Sequence, residues 1–221
     1  MTEQQTSDEE AGTATVAPPS TTYTRTGDLG ETTLGDHSRT AKTDPRIAAY
    51  GDCEEACALI GEAVTLGSGL SNEVVRLLAR VQNDLVDVSA DICDPVMAPD
   101  TDQPRINEEY VQRLERACDH FNAELPQPSS FVVPGGTTTA ATLHHARTVV
   151  RRAERTTQGA LEHDSGMSRL TQSYLNRLGS LLFILARRAN VEHGDTLWEP
   201  GLSATLGNTE LWEAVPEPEE S

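Results

Sequence analysis

The segment that most constrains the fold is Leu143 to Arg155, which reads LHHARTVVRRAER. At about 100° per residue, an α-helix collects one set of these side chains on an apolar face: Leu143, Ala146, Val149, Val150 and Ala153. The same spacing collects a second set on the opposite, charged face: His144, Arg147, Arg151, Glu154 and Arg155. The segment therefore predicts a helix that packs one face into a core.

The charged face of this helix is dense in arginine. Arginines at positions i and i+4 present two planar forks to the same point in space, which suits a phosphate chain. Most charged helix faces are merely solvated, and the residues alone leave that alternative open. Two features favour a ligand: the rest of the chain is acidic, and the helix follows a tight turn at residues 134–136 with threonines available as N-caps.

The charge of the whole chain limits its partners. It has 17 Lys and Arg against 35 Asp and Glu, a net charge of −18. Such a chain repels nucleic acid and anionic membranes, so we expect neither as a partner. A local basic pocket can still bind a small polyanion.

Cysteines and apolar runs indicate the compartment. The four cysteines, Cys53, Cys57, Cys93 and Cys118, form no C-x-x-C pair, so free thiols are favoured over a zinc site. No apolar run approaches the ~20 residues of a membrane span, and we expect no signal peptide. These observations predict a cytoplasmic protein.

The fold class follows from composition and periodicity. Among 221 residues the chain has only 3 Phe, 4 Tyr and 2 Trp, so its core must be aliphatic, which favours packed helices. Helical patterns extend over residues 45–66, 71–92, 107 to about 125, 137–161 and 168–190. They predict an all-α, five-helix bundle. The first helix carries Ile47, Tyr50, Glu54, Ala58 and Gly61 along one face. Whether one bundle face needs a partner subunit stays open at this point.

The remaining segments are not helical. Residues 1–20 are acidic and predict a disordered tail, and residues 191–221 an irregular arm with an acidic tail. Residues 21–43 have no helical period, but Gly27, Gly30 and Gly35 can bring backbone N–H groups close to a ligand. Arg39 and the other basic side chains there add donors, although an exposed flexible loop remains the alternative. The segment is no Walker loop, because it lacks G-K-[ST].

Six motifs, taken in order, point to a known family. They are T-R-T-G-D-x-G at 24–30, D-P-R-x-x-A-Y-G at 44–51, Q-N-D-L at 82–85, F-V-V-P-G-G at 131–136, L-H-x-A-R-T-V-V-R-R-A-E-R at 143–155 and Y-L-N-R-L-x-x-L-L-F-I-L-A-R at 174–187. Together they resemble the PduO-type ATP:cob(I)alamin adenosyltransferases over residues 22–190. The L-W-x-P-G arm at 197–201 is similar to that of actinobacterial members. We accordingly expect one such domain over residues 21–190.

The resemblance implies a trimer of five-helix bundles with active sites between adjacent subunits. The implied reaction moves the 5′-deoxyadenosyl group of ATP to cob(I)alamin, giving adenosylcobalamin and triphosphate, with Mg²⁺ accompanying ATP. It also implies that the 24–35 loop wraps the triphosphate, that Arg151 clamps the phosphates, and that Glu154 holds ATP or its metal. The implied nucleotide-binding set is Thr24, Arg25, Thr26, Gly27, Gly30, Lys42, Arg151, Glu154 and Asn176.

The resemblance assigns the catalytic set to Phe131, Arg147, Arg151 and Glu54. It implies that Phe131 lies under the corrin ring and displaces the lower base, giving a four-coordinate cob(II)alamin that is easier to reduce. The residues alone leave a core plug as the alternative for Phe131. The resemblance further implies that Arg147 pairs across the subunit interface with a first-helix carboxylate, here Glu54.

Four positions depart from the family pattern. Glu54 and Ser180 stand where Asp is usual, while Leu29 and Glu31 replace Asp and Thr in the nucleotide loop. These departures motivate an alternative hypothesis, a non-catalytic member that binds ATP or cobalamin as a carrier or regulatory module. An adenosylcobalamin-dependent mutase is the partner that family behaviour implies for the product.

Overall fold

The computed structural model of the protein describes residues 23–35, 37–67, 69–94, 105–164 and 166–204. Five long helices account for most of them: α1 (Pro45–Leu66), α2 (Asn72–Cys93), α3 (Glu108–Asn122), α4 (Thr138–His163) and α5 (Arg169–Ala189). The predicted all-α bundle of five helices is confirmed. The tail predicted over residues 1–20 lies outside the described residues, as do residues 95–104 and the chain beyond residue 204, with Trp212.

Each helix begins where a short polar side chain accepts a hydrogen bond from a backbone N–H of the first turn. The five capping residues are Asp44, Ser71, Asn107, Thr137 and Ser168. Pro45 follows its cap at the first helical position, where its missing N–H costs nothing. Local sequence therefore determines where each helix begins. Helix α4 ends at His163, two residues later than predicted.

The N-terminal segment contains a short antiparallel hairpin that the sequence analysis does not predict. Strand β1 (Glu31–Thr33) pairs with β2 (Arg39–Ala41), with Thr32 opposite Thr40. Both strands are three residues long and mostly polar, so they lack the apolar alternation that marks a half-buried strand.

Helix α4 is central to the packing, because it contacts both α1 and α5, while α2 packs on α1 and α3 on α5. The predicted apolar face of α4 is confirmed, since each of its members is at most 3 % exposed: Leu143, Ala146, Val149, Val150 and Ala153. The core-facing residues of α1 are Ala49, Cys53, Ala56, Ile60 and Ala63. The α1 face that the sequence pattern predicts, which includes Tyr50, Glu54 and Ala58, does not face the core. It lies at the surface beside α2.

A buried ionic network joins three helices. Asp84 of α2 accepts hydrogen bonds from Arg113 Nη2 at 2.7 Å and from the Tyr174 hydroxyl at 3.0 Å. Because a buried charge is costly without partners, these contacts require α2, α3 and α5 to meet in this register. The network lies apart from the candidate site and serves the fold.

All four cysteines are free, as predicted. Burial raises the pKa of Cys53 to about 12, and raises the pKa values of Cys93 and Cys118 to about 11. These thiols are therefore protonated and unreactive at neutral pH. Of the helices that the structure describes, none has both the length and the apolar character that a membrane crossing requires.

Candidate active site

A cavity of about 490 Å³ opens between α4, α5 and the segment that leads into α4. Its walls include Phe131, Val132 and Pro134 before α4, His144, Arg147 and Arg151 on α4, and Gly179, Ser180 and Phe183 on α5. None of the described residues that line it is acidic, although the chain as a whole has a net charge of −18. The structure thus brings three of the four predicted catalytic residues to one electropositive cavity.

Arg147 has no carboxylate partner among the described residues. Its guanidinium lies over the ring of Phe183, with Cζ 5.3 Å from the ring centroid. Burial and the charge of Arg151 lower the pKa of Arg147, but an arginine remains protonated at any physiological pH. The cavity therefore holds a positive charge that an anion could neutralise.

Arg151 is held by a chain of polar contacts that links α4 to α5. Its Nη1 lies 3.1 Å from Glu154 Oε2, and Glu154 Oε1 accepts a hydrogen bond from Asn176 Nδ2 at 2.8 Å. Arg177 Nη1 in turn donates to Asn176 Oδ1 at 2.7 Å. A Cβ on Gly179 would lie 3.2 Å from Arg151 Cδ, so the glycine makes room for the arginine stem. These contacts orient the Arg151 fork toward the cavity.

The other two arginines of the segment do not line this cavity. Arg152 Nε donates to Asp52 Oδ1 at 2.9 Å and the same guanidinium pairs with Glu55, both on α1. Arg155 Nη1 donates to the backbone oxygen of Arg151 one turn earlier. The four arginines of the segment therefore have three roles: Arg147 and Arg151 line the cavity, Arg152 pairs with α1, and Arg155 is exposed.

His144 corrects the prediction of a uniformly exposed charged face. It is 2 % exposed, because Phe183 of α5 packs against its ring at a centroid distance of 6.1 Å. Burial and the charge of Arg147 lower the pKa of His144. The imidazole is accordingly neutral at neutral pH and adds no charge to the cavity.

Phe131 lies at the rim of the cavity and is 77 % exposed. A core plug would be buried, so the structure rules out that alternative for this residue. The Phe131 ring has Trp198 as its neighbour, with ring centroids 5.9 Å apart. The rim therefore presents an apolar, aromatic surface next to two arginines.

A second concavity, of about 420 Å³, is formed by the N-terminal segment; we call it the cradle. Its lining includes Thr24, Arg25, Thr26, Gly27 and Lys42, five of the predicted nucleotide-binding residues. The hydroxyls of Thr24 and Thr26 are 2.8 Å apart, and Arg25 has a φ of 61°. A tight turn therefore gathers two hydroxyls and basic side chains at one place.

Two glycines shape the cradle. Gly30, at a φ of 87°, ends the turn, and its oxygen accepts the backbone N–H of Lys42 at 2.8 Å. A Cβ on Gly27 would lie 3.1 Å from Lys42 Nζ, so the absence of a side chain at residue 27 makes room for the Lys42 ammonium group. Both glycines thus help to position Lys42.

Glu31 and Leu29, two departures from the family pattern, have simple structural accounts. Glu31 Oε2 lies 3.2 Å from Arg39 Nη2, which also donates to the Thr26 oxygen at 2.9 Å. The arginine thus neutralises the added carboxylate. Leu29 is 96 % exposed at the tip of the turn and touches no part of the core.

Glu54 lies on α1 in a different groove, between α1 and α2, beside Tyr50 and Val86. It makes no ion pair among the described residues of its own chain. It does not reach Arg147, which lines the cavity between α4 and α5. Glu54 and Arg147 thus lie apart within one chain, and the pair predicted between two subunits stays a prediction.

The cavity and the cradle lie at different levels of α4. Asp44 bonds both Thr40 of the hairpin, at 2.7 Å, and Arg46, which reaches Asp164 at the end of α4 at 3.5 Å. Thirteen residues separate Arg151 from Asp164, which is about 20 Å along a helix. Within one chain, the cradle therefore sits far from the Arg151 fork.

Glu154, the predicted metal ligand, already has partners. Its side chain is 16 % exposed, and its two oxygens face a guanidinium and an amide N–H. In the part of the chain that the structure describes, no three His, Cys, Asp or Glu side chains converge as a metal site. Mg²⁺ in nucleotide sites takes most of its ligands from phosphate and water, so a single carboxylate such as Glu154 stays the predicted metal ligand.

Three contributors to the site escaped the sequence analysis. Arg177 extends the polar chain behind Arg151, Gly179 provides space for its stem, and Trp198 backs Phe131. Arg177 adjoins Asn176 in a motif already singled out, so its position was available from sequence. The role of Trp198 depends on how a distant segment folds back, and no local pattern indicates it.

Comparison with known proteins places these features in a family. The family model described as cobalamin adenosyltransferase matches residues 22–189. The chain is 52 % identical over 181 residues to the corrinoid adenosyltransferase of Mycobacterium tuberculosis, covering 81 % of this chain and 93 % of the relative. It is 34 % identical over 174 residues to the corrinoid adenosyltransferase of Bacillus subtilis, covering 78 % and 88 %.

Solved structures agree with the sequence relatives. A variant of the PduO-type ATP:corrinoid adenosyltransferase from Lactobacillus reuteri, complexed with cobalamin and ATP, superposes with a TM-score of 0.76 and 29 % identity. The match covers 81 % of this chain and 97 % of that one. The sequence match and the shared fold give one conclusion: the chain belongs to the cobalamin adenosyltransferase family.

Proposed function

We propose that the protein transfers the 5′-deoxyadenosyl group of ATP to the cobalt of cob(I)alamin, producing adenosylcobalamin and triphosphate. The observation that carries the proposal is the cavity of this family member, where an exposed aromatic ring adjoins two arginines. An apolar rim suits a flat macrocycle, and the arginines suit the phosphates of the second substrate.

The reaction requires the protein to position its two substrates and to supply positive charge near the leaving group. The cobalt of the reduced corrinoid attacks C5′ of ATP with its electron pair, and a Co–C bond forms. The C5′–O bond breaks, and its electron pair leaves with the triphosphate. Fixed cations aimed at the leaving group stabilise the transition state. Arg151 and Lys42 supply such cations, and no general base is required because the nucleophile is the metal of the substrate.

The site is proposed to form between subunits of a homotrimer. Arg151 and the cradle are both assigned to the triphosphate, yet the cradle is anchored about 20 Å along α4 from Arg151 in one chain. One triphosphate can meet both only if the cradle comes from a neighbouring subunit. Thr24, Thr26 and the backbone around Gly27 and Gly30 then bind the phosphates opposite Arg151.

The same arrangement accounts for two unpaired charges. Arg147 and Glu54 have no ion-pair partner among the described residues of their own chain, and they lie on different faces of the bundle. We propose that Glu54 of one subunit pairs with Arg147 of the next. Glutamate is one methylene longer than the usual aspartate, so the two helices would stand slightly farther apart.

Phe131 is proposed to contact the lower face of the corrin and displace its base, leaving cob(II)alamin four-coordinate and easier to reduce. Its 77 % exposure beside the cavity supports this role. Mg²⁺ is proposed to arrive bound to ATP. The free thiols fit a reducing cytoplasm, and a mutase that uses adenosylcobalamin is the proposed recipient of the product.

The test is a direct assay. Purified protein, ATP, Mg²⁺ and chemically reduced cobalamin are mixed, and the absorption spectrum is followed for conversion to adenosylcobalamin. We expect conversion with release of one triphosphate per coenzyme. Binding of ATP and cobalamin without conversion would contradict the enzyme and support the carrier or regulatory role that the four departures suggested.

A further inference from the structure

The segment that follows α5 runs antiparallel to the Phe131 segment and is tied to it. The backbone N–H of Trp198 donates to the Phe131 oxygen at 2.7 Å, and that of Val133 donates to the Thr196 oxygen at 2.8 Å. Ser130 Oγ adds a bond to the Trp198 oxygen at 2.7 Å. Residues 195–198, which we call the arm, are therefore held in register with Phe131.

The arm has a second, buried anchor. Arg187 Nε donates to Asp195 Oδ2 at 2.7 Å, and the two side chains are 5 % and 13 % exposed. Arg187 also donates to the Pro126 oxygen at 2.7 Å. A shielded, charge-assisted bond of this kind is stronger than an exposed ion pair. The arm is thus fixed on both sides of the cavity rim.

This anchoring gives the Phe131 ring a defined neighbour. The two rings are 5.9 Å apart with an interplanar angle of 56°, a geometry typical of aromatic pairs. Phe131 is 77 % exposed and Trp198 48 %. An exposed phenylalanine without a neighbour would sample several rotamers, and choosing one at the moment of binding costs entropy.

We propose that Trp198 is a positioning residue, which holds the Phe131 ring in the orientation that meets the lower face of the corrinoid. The inference rests on the proposed function of Phe131 and extends it to a residue 67 positions later in the chain. Trp198 acts through Phe131, so its effect depends on that ring being present.

The first experiment tests the contact without any substrate. Trp212 is the other tryptophan of the sequence, so Trp212→Phe leaves Trp198 as the sole tryptophan. Excitation at the long-wavelength edge, where the four tyrosines do not absorb, then reports Trp198 alone. In that background, Phe131→Ala should shift or intensify the Trp198 fluorescence, because its ring neighbour is lost. An unchanged emission spectrum would overturn the contact, whatever the activity of the protein.

The second experiment has two readouts. Electron paramagnetic resonance with ATP present measures the four-coordinate fraction of bound cob(II)alamin. Turnover is measured from cob(II)alamin with an added one-electron reductant, such as a reduced flavin, and from pre-formed cob(I)alamin. Trp198→Ala should lower the four-coordinate fraction and slow the cob(II)alamin reaction about two- to tenfold, the range for one aromatic pair. The cob(I)alamin reaction should change less. Trp198→Phe should recover most of the loss, and Leu202→Ala, an exposed change farther along the chain, should match wild type.

A double-mutant cycle separates positioning from direct contact. If Trp198 acts through Phe131, adding Trp198→Ala to Phe131→Ala should cause no further loss. Losses that multiply would overturn the proposal and make Trp198 an independent corrin contact. An unchanged four-coordinate fraction in Trp198→Ala would also overturn it. A wild-type protein that forms no adenosylcobalamin would instead refute the proposed function.

Discussion

The cavity and the cradle are built in contrasting ways. The cavity stands on α4 and α5, whose opposite sides are buried in an aliphatic core, so its backbone is fixed by the packing that holds the protein together. The cradle is built on a turn and a hairpin with two strands of three residues each, and most of the strand side chains are exposed. The cavity is therefore preformed by helix packing, whereas the cradle depends on a few local contacts.

The contacts under the cradle converge on one carboxylate. Asp44 accepts bonds from the Arg46 backbone N–H, the Arg46 guanidinium and the Thr40 hydroxyl. The two strands make few other contacts with the helices, although Leu34 between them is buried, at 5 % exposed. Substitutions in the cavity should therefore lower the reaction rate while the protein stays folded. Substitutions in the cradle should first weaken ATP binding and loosen the local backbone.

The sharpest test of the cavity compares two arginines one turn apart. Arg151→Ala removes the fork held by Glu154 beside the cavity and should abolish turnover, with a loss of at least about 100-fold, as expected for a charge that stabilises the leaving group. Arg155→Ala removes a residue whose described bond is to its own helix backbone and should retain most activity. The measurement is the steady-state rate with saturating substrates.

Thermal unfolding serves as the control for that pair. Arg155→Ala changes an exposed side chain and should leave Tm nearly unchanged. Arg151→Ala leaves Glu154, 16 % exposed, without its guanidinium, so it should lower Tm by about 5 °C while the protein stays folded at the assay temperature. Equal rates near wild type in both variants would remove Arg151 from the phosphate site.

The next largest effect is expected at Phe131. Phe131→Ala should slow the reaction that starts from cob(II)alamin and an added one-electron reductant by at least about tenfold. Pre-formed cob(I)alamin should react at close to the wild-type rate. The reason is that the ring acts before the nucleophile exists. Stopped-flow spectra from both starting states give the two rates, and equal losses in both would indicate a packing role at the rim instead.

A smaller effect is expected in the cradle. In Gly27→Ala the new methyl would meet Lys42 Nζ at 3.1 Å and displace it. The KM for ATP should rise about tenfold, the cost of one hydrogen bond to a charged group, with the KM for cobalamin unchanged. Gly159→Ala on α4 is the matched control, because its Cβ would meet nothing within 4 Å. If the KM for cobalamin rises instead, the assignment of the cradle to ATP is wrong.

Sequence predicts the cavity side well because helical periodicity reports burial directly. The buried face of α4 and its capping threonine, Thr137, follow from local pattern. On α1 the pattern fails, since its core-facing positions are mostly alanine and cysteine, whose small side chains resemble those on its other faces. His144 fails for a different reason: its burial depends on Phe183, 39 residues later.

The cradle and the rim are harder to predict because they depend on distant contacts. The hairpin has too few apolar residues to register as strands. Docking of Trp198 on Phe131 joins segments separated by two helices. Sequence motifs identify which residues matter in both regions. They do not reveal that the hairpin is anchored at the end of α4, about 20 Å along that helix from Arg151, because the anchor forms only when α4 packs beside α1.

The smallest expected effect tests what holds the cradle. The Arg46 guanidinium holds the pKa of Asp44 well below its usual value. A carboxyl whose pKa is lowered by folding adds stability above its unfolded pKa of about 3.9, and this contribution is lost as pH falls further. Asp44→Asn keeps a capping acceptor but removes the charge, so it should lower the free energy of unfolding at pH 7. The deficit relative to wild type should shrink below about pH 4.

Asp44→Ala removes the cap as well, and should cost about 1 kcal/mol more at every pH. Chemical denaturation of the three proteins between pH 3 and 7 gives the free energies. Hydrogen exchange at residues 31–41 shows whether the hairpin loosens before the bundle does. If the Asn variant shows a deficit that does not vary with pH, the charge of Asp44 is not what fastens the cradle. If the hairpin and the bundle lose protection together, the two regions are a single cooperative unit and the contrast between them fails.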